Sequence, residues 1–339
     1  MRIVLAGALA LAVIAGAAAV ATGLVKFNMG VHSDVCQSGD EIEASVRSAL
    51  GDRAMAFTRA ILNRKSAEAY SMMSDQVRAA SPEEKFAAEI GAAVQGAGRL
   101  QGLRIGQTYY VMSGGAGPDG HTMCGLVADD KRVWVAVKPG LDQGHVVIYA
   151  KARNNDWAFT FWLLPKGKDW QIQFFHLNPA TMVGLSPDQL LQQARQERDS
   201  GHMFNAAMLY AGVRGVSDYG PAFQLGIVQP LQRDLDKLQV PPELSGPPPF
   251  DWKMGGKDYS VSKVTIVGVD GKLGLIFLLP QKSWSGEDGA AKFNRAFLAA
   301  FIAAHPDYGR SFSFLVARAL KPDNSGGFGT VYENGKGFK

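Results

Sequence analysis

The strongest constraint on the fold is a run of four segments in which apolar and polar side chains alternate. The short polar connections between them, such as Lys166-Gly167-Lys168, are typical of turns. Alternation with a period of two residues predicts strands with one buried face. We therefore expect an antiparallel meander, preceded by a strand over Ile105 to Met112. The four segments are Lys131 to Lys138, Val146 to Lys151, Trp157 to Leu164 and Trp170 to Leu177.

Pairing the last two segments across the loop from Pro165 to Lys168 predicts which side chains share a face. In this register Trp157 lies opposite His176. One face is then apolar and must pack on helices; it comprises Val133, Val135, Val146, Ile148, Trp157, Phe159, Phe161, Leu163, Trp170, Ile172, Phe174 and His176. The other face is mixed and comprises Trp134, Tyr149, Thr160, Trp162, Gln171 and Gln173.

Helices are predicted before the strands. Apolar residues recur at helical spacing from Ile42 to Leu62, and a short helix is expected over Ser66 to Met73. Ser81-Pro82-Glu83-Glu84 predicts a helix that Ser81 caps, with Pro82 at its first position, and this helix should run to about Val94. Since the helices precede the strands instead of alternating with them, the predicted class is α+β.

This element order resembles the cone-shaped domain of the nuclear-transport-factor-two-like superfamily. The resemblance covers about Gly39 to Met182. It includes the opening "AMAFTRAILNRKSAEAYSMMSDQVR" from Ala54 and the closing strand "DWQIQFFHL" from Asp169. It implies helices packed on a bent antiparallel sheet around a cavity. The superfamily contains enzymes, binding proteins and dimerisation modules, so this fold does not select a function.

A helical hairpin is predicted within residues 186–240. Ser186-Pro187-Asp188-Gln189 is a capping signature, Gly201 should end the first helix, and a second helix should run from Met203 to Val213. The pair resembles a single tetratricopeptide-type hairpin. One such unit cannot bury its own faces, so it must dock on a sheet or on a further helix at Leu225 to Leu238.

A proline-rich linker, residues 241–249, should separate this region from a small α+β domain over residues 250–339. In that domain, strands over Tyr259 to Val269 and Leu273 to Leu279 flank the turn Asp270-Gly271. A helix is expected from Asp288 to Ala304, and the type of the element from Phe312 to Leu320 is left open. The glycine-rich tail from Ser325 is expected to be mobile, with an edge strand at Gly329 to Tyr332 as the alternative.

Residues 1–30 predict export. Ile3 to Val25 carry no charge and lie between Arg2 and Lys26. A helix of about 20 apolar residues spans a bilayer, which predicts a transmembrane anchor and a membrane partner. Alternatively, Ile3 to Ile14 is the core of a signal peptide, with small residues at positions 17–21 suited to cleavage. Both alternatives place the body of the protein in the periplasm or outside the cell.

The chain contains two cysteines, Cys36 and Cys124. In an exported protein a small, even number of cysteines is typical of a disulfide. The bridge would join the start of the first helix to a later strand. Two unpaired thiols are the alternative.

Composition and motifs indicate neither nucleic acid nor a cofactor. The net charge is +4, and the basic residues are scattered instead of forming a stripe. Gly115 to Gly120 matches G-x-G-x-x-G by letters, but the next segment is predicted as a strand, whereas a dinucleotide site needs a helix there. His121 and Cys124 supply two metal ligands where a structural zinc site needs four. We therefore predict no metal, no cofactor and no catalytic residue.

His176, Trp157 and Tyr110 are the candidate ligand-binding residues. In a cone-shaped domain, a histidine at the mouth of the cavity can act as a general base. The alternative is that His176 caps the core and bonds a backbone carbonyl.

Trp134, Tyr149 and Trp162 form a candidate interface, because large aromatics on the outer side of a sheet suggest a covered surface. The superfamily resemblance implies a homodimer through this side. The alternative is that the helices from Ser186 onward cover these side chains.

The leading hypothesis is a non-enzymatic, exported or membrane-anchored cell-envelope protein that acts as a binding or assembly module. The alternative is a small-molecule-binding protein or enzyme that uses the interior of the cone. A hollow interior with convergent polar groups would favour the alternative, and a filled interior would favour the leading hypothesis.

Overall fold

The computed structural model describes residues 34–125, 132–153 and 155–339. The chain forms two compact units. Unit 1 takes in the described residues up to Ala180 together with Ser217–Val228, and unit 2 takes in Thr181–Val216 and Gln229–Lys339. Both units contain helices and antiparallel strands, so the predicted α+β class is confirmed.

The prediction of a transmembrane helix is corrected. Across the three described ranges, no helix combines the length and the apolar character needed to cross a bilayer. The segment from Ile3 to Val25, on which both the anchor and the signal-peptide alternative rest, lies outside the described residues.

Unit 1 contains four helices and eight strands among its described residues. The predicted helices are present within three residues of their expected ends, and Asp75–Ala80 is an additional helix. The elements are β1 (Asp34–Ser38), α1 (Ala44–Leu62), α2 (Ser66–Ser71), α3 (Asp75–Ala80), α4 (Glu83–Ala97), β2 (Gln101–Ser113), β3 (Gly120–Cys124), β4 (Val133–Val137), β5 (Asp142–Ala152), β6 (Asn155–Lys166), β7 (Asp169–Pro179) and β8 (Phe223–Leu225).

The start of α4 differs from its prediction by one residue. Pro82 is the N-cap, and Ser81 makes no capping hydrogen bond. Instead, Ser81 follows the last turn of α3, and its carbonyl accepts a hydrogen bond of 2.9 Å from the Tyr70 hydroxyl. Ser81 therefore belongs to the connection between two helices, which the sequence pattern did not separate.

The main sheet has the strand order β1-β2-β5-β6-β7, and every pairing in it is antiparallel. Strands β5, β6 and β7 are consecutive, as the predicted meander requires. Helices α1, α2 and α4 pack on one side of this sheet, which we call the helix face. The buried residues there include Leu50, Phe57, Ile90, Val146, Ile148, Phe159, Phe161, Leu163 and Ile172.

A bulge in β7 changes the predicted register. Leu163 pairs with Ile172 but Trp162 pairs with Phe174, so Gln173 is an extra residue. Because successive side chains point to opposite faces, one extra residue reverses every later side chain. The predicted pairing of Trp157 with His176 is therefore wrong: Trp157 pairs with Pro179, and Thr160 pairs with His176.

A second sheet, β3-β4-β8, packs on the opposite side of the main sheet, which we call the strand face. The prediction that β4 extends the meander is wrong, since β4 pairs with β3 and β8. Val133 and Val135 consequently pack on the strand face and not on the helix face. They lie in one buried cluster with Tyr109, Val111, Val147, Ala158 and Phe223.

The predicted disulfide between Cys36 and Cys124 is confirmed, with a Cα–Cα distance of 5.5 Å. Cys36 lies in edge strand β1 of the main sheet, and the buried Cys124 ends β3 of the second sheet. The bond therefore joins the two sheets. A disulfide of this kind suits an oxidising, extracytoplasmic compartment.

Unit 2 combines the two predicted helices after Ser186 with the elements of the C-terminal region. Its described elements are α5 (Pro187–Asp199), α6 (Met203–Val216), α7 (Val228–Lys237), β9 (Phe250–Met254), β10 (Lys257–Val261), β11 (Lys263–Val269), β12 (Lys272–Pro280), α8 (Gly286–Ala304), β13 (Phe314–Leu320), β14 (Gly327–Glu333) and β15 (Gly337–Phe338). Helices α5 and α6 pack on each other, and α6 packs on β11.

The sheet of unit 2 has the order β11-β12-β13-β14-β15. The predicted turn Asp270-Gly271 joins β11 to β12, and both residues have positive φ, as a two-residue hairpin turn requires. Strand β13 runs parallel to β12, and α8 lies between them in the chain. The tail from Ser325, expected to be mobile, instead forms β14, which pairs with β13, and β15, which pairs with β14. The alternative of a strand at Gly329 to Tyr332 therefore holds, although β15 and not β14 lies at the edge of the sheet.

The proline-rich segment 241–249 is attached to unit 2. Pro242–Leu244 forms a 3-10 turn, and the indole Nε1 of Trp252 donates a hydrogen bond of 2.7 Å to the Glu243 carbonyl. The Glu243 carboxylate lies 3.3 Å from His305 Nε2. These contacts hold one end of the predicted linker against the residues that follow it.

Candidate functional site

The three candidate pocket residues lie in different parts of unit 1. Tyr110 is on the helix face, where its hydroxyl donates a hydrogen bond of 2.8 Å to Asp142 Oδ2. Tyr110 aligns through Gly144 with Leu163, and Trp157 lies six residues further along β6, about 20 Å away at the rise of a strand. Because of the bulge, His176 is on the strand face. The structure therefore does not bring these three side chains together.

Aromatic side chains fill the helix-face core around Phe57. The Phe57 ring centroid lies 5.6 Å from that of Phe161, 5.1 Å from that of Phe175 and 6.2 Å from that of Phe86. These rings come from α1, α4, β6 and β7, so they close the space between helices and sheet. The centre of the predicted cone is thus a packed core.

His176 has a carboxylate neighbour that sequence reasoning missed. Its Nε2 lies 3.8 Å from Asp218 Oδ1, too far for a hydrogen bond. Burial lowers the pKa of His176, and the charge of Asp218 partly opposes this shift. A histidine beside a carboxylate is the arrangement of an oriented general base. Thr160 on β6 pairs with His176, and its hydroxyl is the one that the histidine would face. Because Thr160 is only 1 % exposed, this hydroxyl is shielded from any substrate.

Gly220 explains how Asp218 reaches His176. Gly220 has φ +80°, and a Cβ at this position would lie 2.8 Å from the Phe174 ring and 3.0 Å from His176 Cβ. Only glycine fits this backbone conformation and this close approach. Since residue 218 lies far from residue 176 in the chain, no local sequence pattern indicates this contact.

The candidate interface residues do not form one surface. Tyr149 and Trp162 are on the strand face of the main sheet: Arg104 lies 4.8 Å over the Tyr149 ring, and Trp162 Nε1 donates a hydrogen bond of 2.9 Å to Gln143. Trp134 belongs to β4, where it alternates with Val133 and Val135, which pack inward. Within unit 1 the second sheet covers much of the strand face, a role for which the sequence had suggested either a second copy of the chain or the helices after Ser186.

His145 is the most deeply buried titratable group on the strand face. Its Nε2 donates a hydrogen bond of 2.9 Å to the Ala136 carbonyl, and its ring stacks on Trp162. Burial lowers the pKa of His145 to about 3. His145 is therefore a neutral, structural residue that ties β5 to the second sheet.

Unit 2 contains an open cleft of about 440 Å³. It lies between helix α5, the β11–β12 turn and the loop before β13. Its apolar wall is formed by Val183, Leu185 and Leu273, and its polar lining consists of Gln193, Gln196, Glu197, Lys272, Arg310, Ser311 and Ser313. This volume is within the range of small-molecule sites. The polar lining suits a ligand that makes hydrogen bonds.

The carboxylate of Glu197 is held in the wall of the cleft. Asn205 Nδ2 donates a hydrogen bond of 3.1 Å to Glu197 Oε2, and His202 Nδ1 lies 2.8 Å from the same oxygen. Arg310 Nε lies 3.7 Å from Oε1. The Glu197 side chain is only 12 % exposed, and of these three neighbours Arg310 is always cationic whereas His202 is cationic only when protonated.

Lys272 lines the same cleft and also belongs to a group of lysines around Glu333. Its ammonium group donates a hydrogen bond of 2.7 Å to Glu333, which also accepts hydrogen bonds from Lys336 and Lys339. The hydrogen bonds from these lysines hold the pKa of the Glu333 carboxyl well below its usual range, and the bond from Lys272 has the largest effect. Glu333 therefore stays ionised, and three cations share one carboxylate.

Four polar side chains of the cleft remain available to a ligand. Within the part of the chain that the structure describes, Gln193, Gln196, Ser311 and Ser313 make no side-chain hydrogen bond to the protein. The four come from two segments more than 100 residues apart and share no motif, so no sequence pattern indicated the cleft. In the same described residues, no three His, Cys, Asp or Glu side chains gather as metal ligands.

Comparison with known proteins adds no relative from which a role could be inferred. No protein-family model, no curated protein and no solved structure matches this chain.

Proposed function

We propose that this chain is an exported, non-enzymatic binding protein of the cell envelope, in which unit 1 is a scaffold and the cleft of unit 2 is the ligand site. The observation that carries the proposal is the cleft, an open site of about 440 Å³ with four polar side chains that make no hydrogen bond to the described protein. Unused hydrogen-bonding groups in a concave site are what a small polar ligand requires.

The Cys36–Cys124 disulfide supports the compartment. Disulfides persist in the periplasm and outside the cell, whereas the cytosol keeps thiols reduced. We therefore place the body of the protein on the extracytoplasmic side.

The filled core of unit 1 supports the role of a scaffold. The Phe57 ring packs 5.6 Å from the Phe161 ring and 5.1 Å from the Phe175 ring between the helices and the sheet. We keep the resemblance of residues 39–182 to the nuclear-transport-factor-two-like superfamily as part of the proposal, because helices precede an antiparallel sheet and pack on one of its faces. The role of unit 1 would then be that of the non-catalytic members of this group.

Thermal-shift screening of the full oxidised protein against small polar metabolites tests the proposal. A ligand at 100 times its Kd should stabilise the protein by about 2.7 kcal/mol. Gln193→Ala, in the cleft, should abolish the shift, whereas Gln192→Ala, one residue away on α5 and exposed, should not. The proposal fails if no ligand stabilises the protein, if both variants respond like the wild type, or if the ligand is chemically converted.

A further inference from the structure

We infer that the ligand of the cleft is a small, hydroxylated organic anion whose carboxylate or phosphate group pairs with the Arg310 guanidinium. This inference rests on the proposed function, since it specifies the chemistry of the ligand at the same site.

The Arg310 guanidinium is poorly used by the protein. Its side chain is 59 % exposed, and its ion pair with Glu197 is long, at 3.7 Å between Nε and Oε1. Within the described residues, its two terminal nitrogens have no partner. A guanidinium presents a planar fork of donors that matches the two oxygens of a carboxylate or a phosphate.

Glu197 does not compete strongly for this fork. Asn205 and His202 already lie within 3.1 Å of Glu197 Oε2, and these contacts come from the start of α6. Glu197 therefore meets Arg310 only through Oε1 and Nε. An incoming oxyanion can bind the two terminal nitrogens of Arg310 while Nε stays beside Glu197, so the buried carboxylate keeps its cationic neighbour.

The charge around the cleft favours an anion. The cationic side chains that line the cleft are Lys272 and Arg310, whereas the one carboxylate in its lining is Glu197. Two cations therefore face one carboxylate. A cleft with an excess of positive charge raises the local concentration of anions.

The other polar groups of the cleft determine which uncharged groups the ligand should carry. Gln193 and Gln196 each offer an amide donor and acceptor, and Ser311 and Ser313 each offer a hydroxyl. Groups that both donate and accept are complementary to hydroxyl groups. The cleft volume of about 440 Å³ accommodates a small molecule.

Calorimetric titration of the full oxidised protein with three matched probes tests the inference. Glucose is neutral, gluconate carries a carboxylate and glucose 6-phosphate carries a phosphate. At least one of the two anions should bind, and the better one identifies the source of the oxyanion; glucose should bind about 10- to 100-fold more weakly, the range of a charged hydrogen bond. Binding should also weaken as salt is added.

Two arginine variants distinguish the loss of a contact in the cleft from a general loss of positive charge. Arg310→Gln should weaken binding of the anion about 10- to 100-fold and leave the unfolding temperature unchanged, because this side chain is exposed. Arg233→Gln removes the same charge from an exposed position on α7 outside the cleft and should leave affinity unchanged.

The outcomes distinguish the inference from the proposed function. If a neutral ligand binds in the cleft as tightly as the anions, or if Arg310→Gln binds the anion normally, the inference is overturned while the binding role survives. If none of the three probes binds, and no compound of a wider metabolite collection binds either, both the inference and the proposed function are overturned.

Discussion

Removing the Cys36–Cys124 bridge should destabilise unit 1 strongly. The bond joins residues 88 positions apart in sequence, so the unfolded chain carries a closed loop of nearly ninety residues. In the chain-entropy description, opening a loop of this length removes about 4.6 kcal/mol of stabilisation at 25 °C. That loss is a large part of the stability of a typical domain, which is about 5 to 15 kcal/mol.

A double-mutant cycle in urea measures this contribution. Cys36→Ala, Cys124→Ala and the double variant all lack the bridge, so each should lose a similar amount of unfolding free energy. Cys124→Ala should lose somewhat more than Cys36→Ala, because Cys124 is buried whereas Cys36 is half-buried. Dithiothreitol should destabilise the wild type and have no effect on the double variant.

Two results would contradict this reasoning. Additive losses from the two single variants would mean that each cysteine acts through its own packing and not through a shared bond. A loss below about 1 kcal/mol in the double variant would mean that the closed loop does not constrain the unfolded chain in the way the entropy description requires.

Three further predictions concern single residues. Burial lowers the pKa of His145 to about 3 from its ordinary value of 6.5. The stability that this difference contributes is therefore fully present above pH 6.5 and is lost as the pH falls towards 3. Stability should therefore fall by about 2 kcal/mol between pH 8 and pH 5 in urea titrations, and His145→Gln should flatten this slope; an unchanged slope would exclude His145 as its cause. Gly220→Ala should cost about 1 to 3 kcal/mol, because its positive φ and its close neighbours leave no room for a Cβ. The control Gly91→Ala, at an open position in α4, should stabilise the protein by about 0.5 to 1 kcal/mol, and equal effects of the two substitutions would contradict the argument. Ser186→Ala should cost about 1 kcal/mol through loss of the capping box at α5, and an unchanged thermal midpoint would show that the cap is not needed.

The sequence predicted the elements whose signals are local. Helix α1 follows from apolar spacing, the capping box at Ser186 follows from four consecutive residues, and the hairpin at Asp270-Gly271 follows from the positive φ that its turn requires. Each of these is decided by side chains within a few residues of one another. The α+β class needed only the order of such elements.

The faces of β7 could not be predicted because a bulge has no clear pattern of its own. Trp170 and Ile172 contribute to the helix face as expected, but the extra residue Gln173 turns Phe174 and His176 to the strand face. Side chains alternate between the two faces only where every residue advances the strand by one position. A single exception was therefore enough to move the main candidate residue out of the predicted pocket.

Non-local pairing explains the other differences. The place of β4 in the second sheet could not be predicted because its partner β8 comes almost 90 residues later, and an alternating pattern is the same in either sheet. The cleft of unit 2 likewise depends on three distant segments whose polar residues are ordinary surface residues. The residues of a site that has no sequence motif can be identified only from the folded structure.

The segment Ser217–Val228 determines how the chain can be divided. It carries Asp218, Gly220 and Phe223, all of which contact residues of unit 1, yet it follows helix α6 of unit 2. A boundary near Met182, which the element order favours, would separate unit 1 from the strand that completes its second sheet. Since Phe223 is almost fully buried in the strand-face cluster, unit 1 cannot cover that cluster without this later segment. Each unit is thus built from two separate stretches of the sequence, and the buried cluster of unit 1 is complete only with residues that follow helices α5 and α6 in the chain.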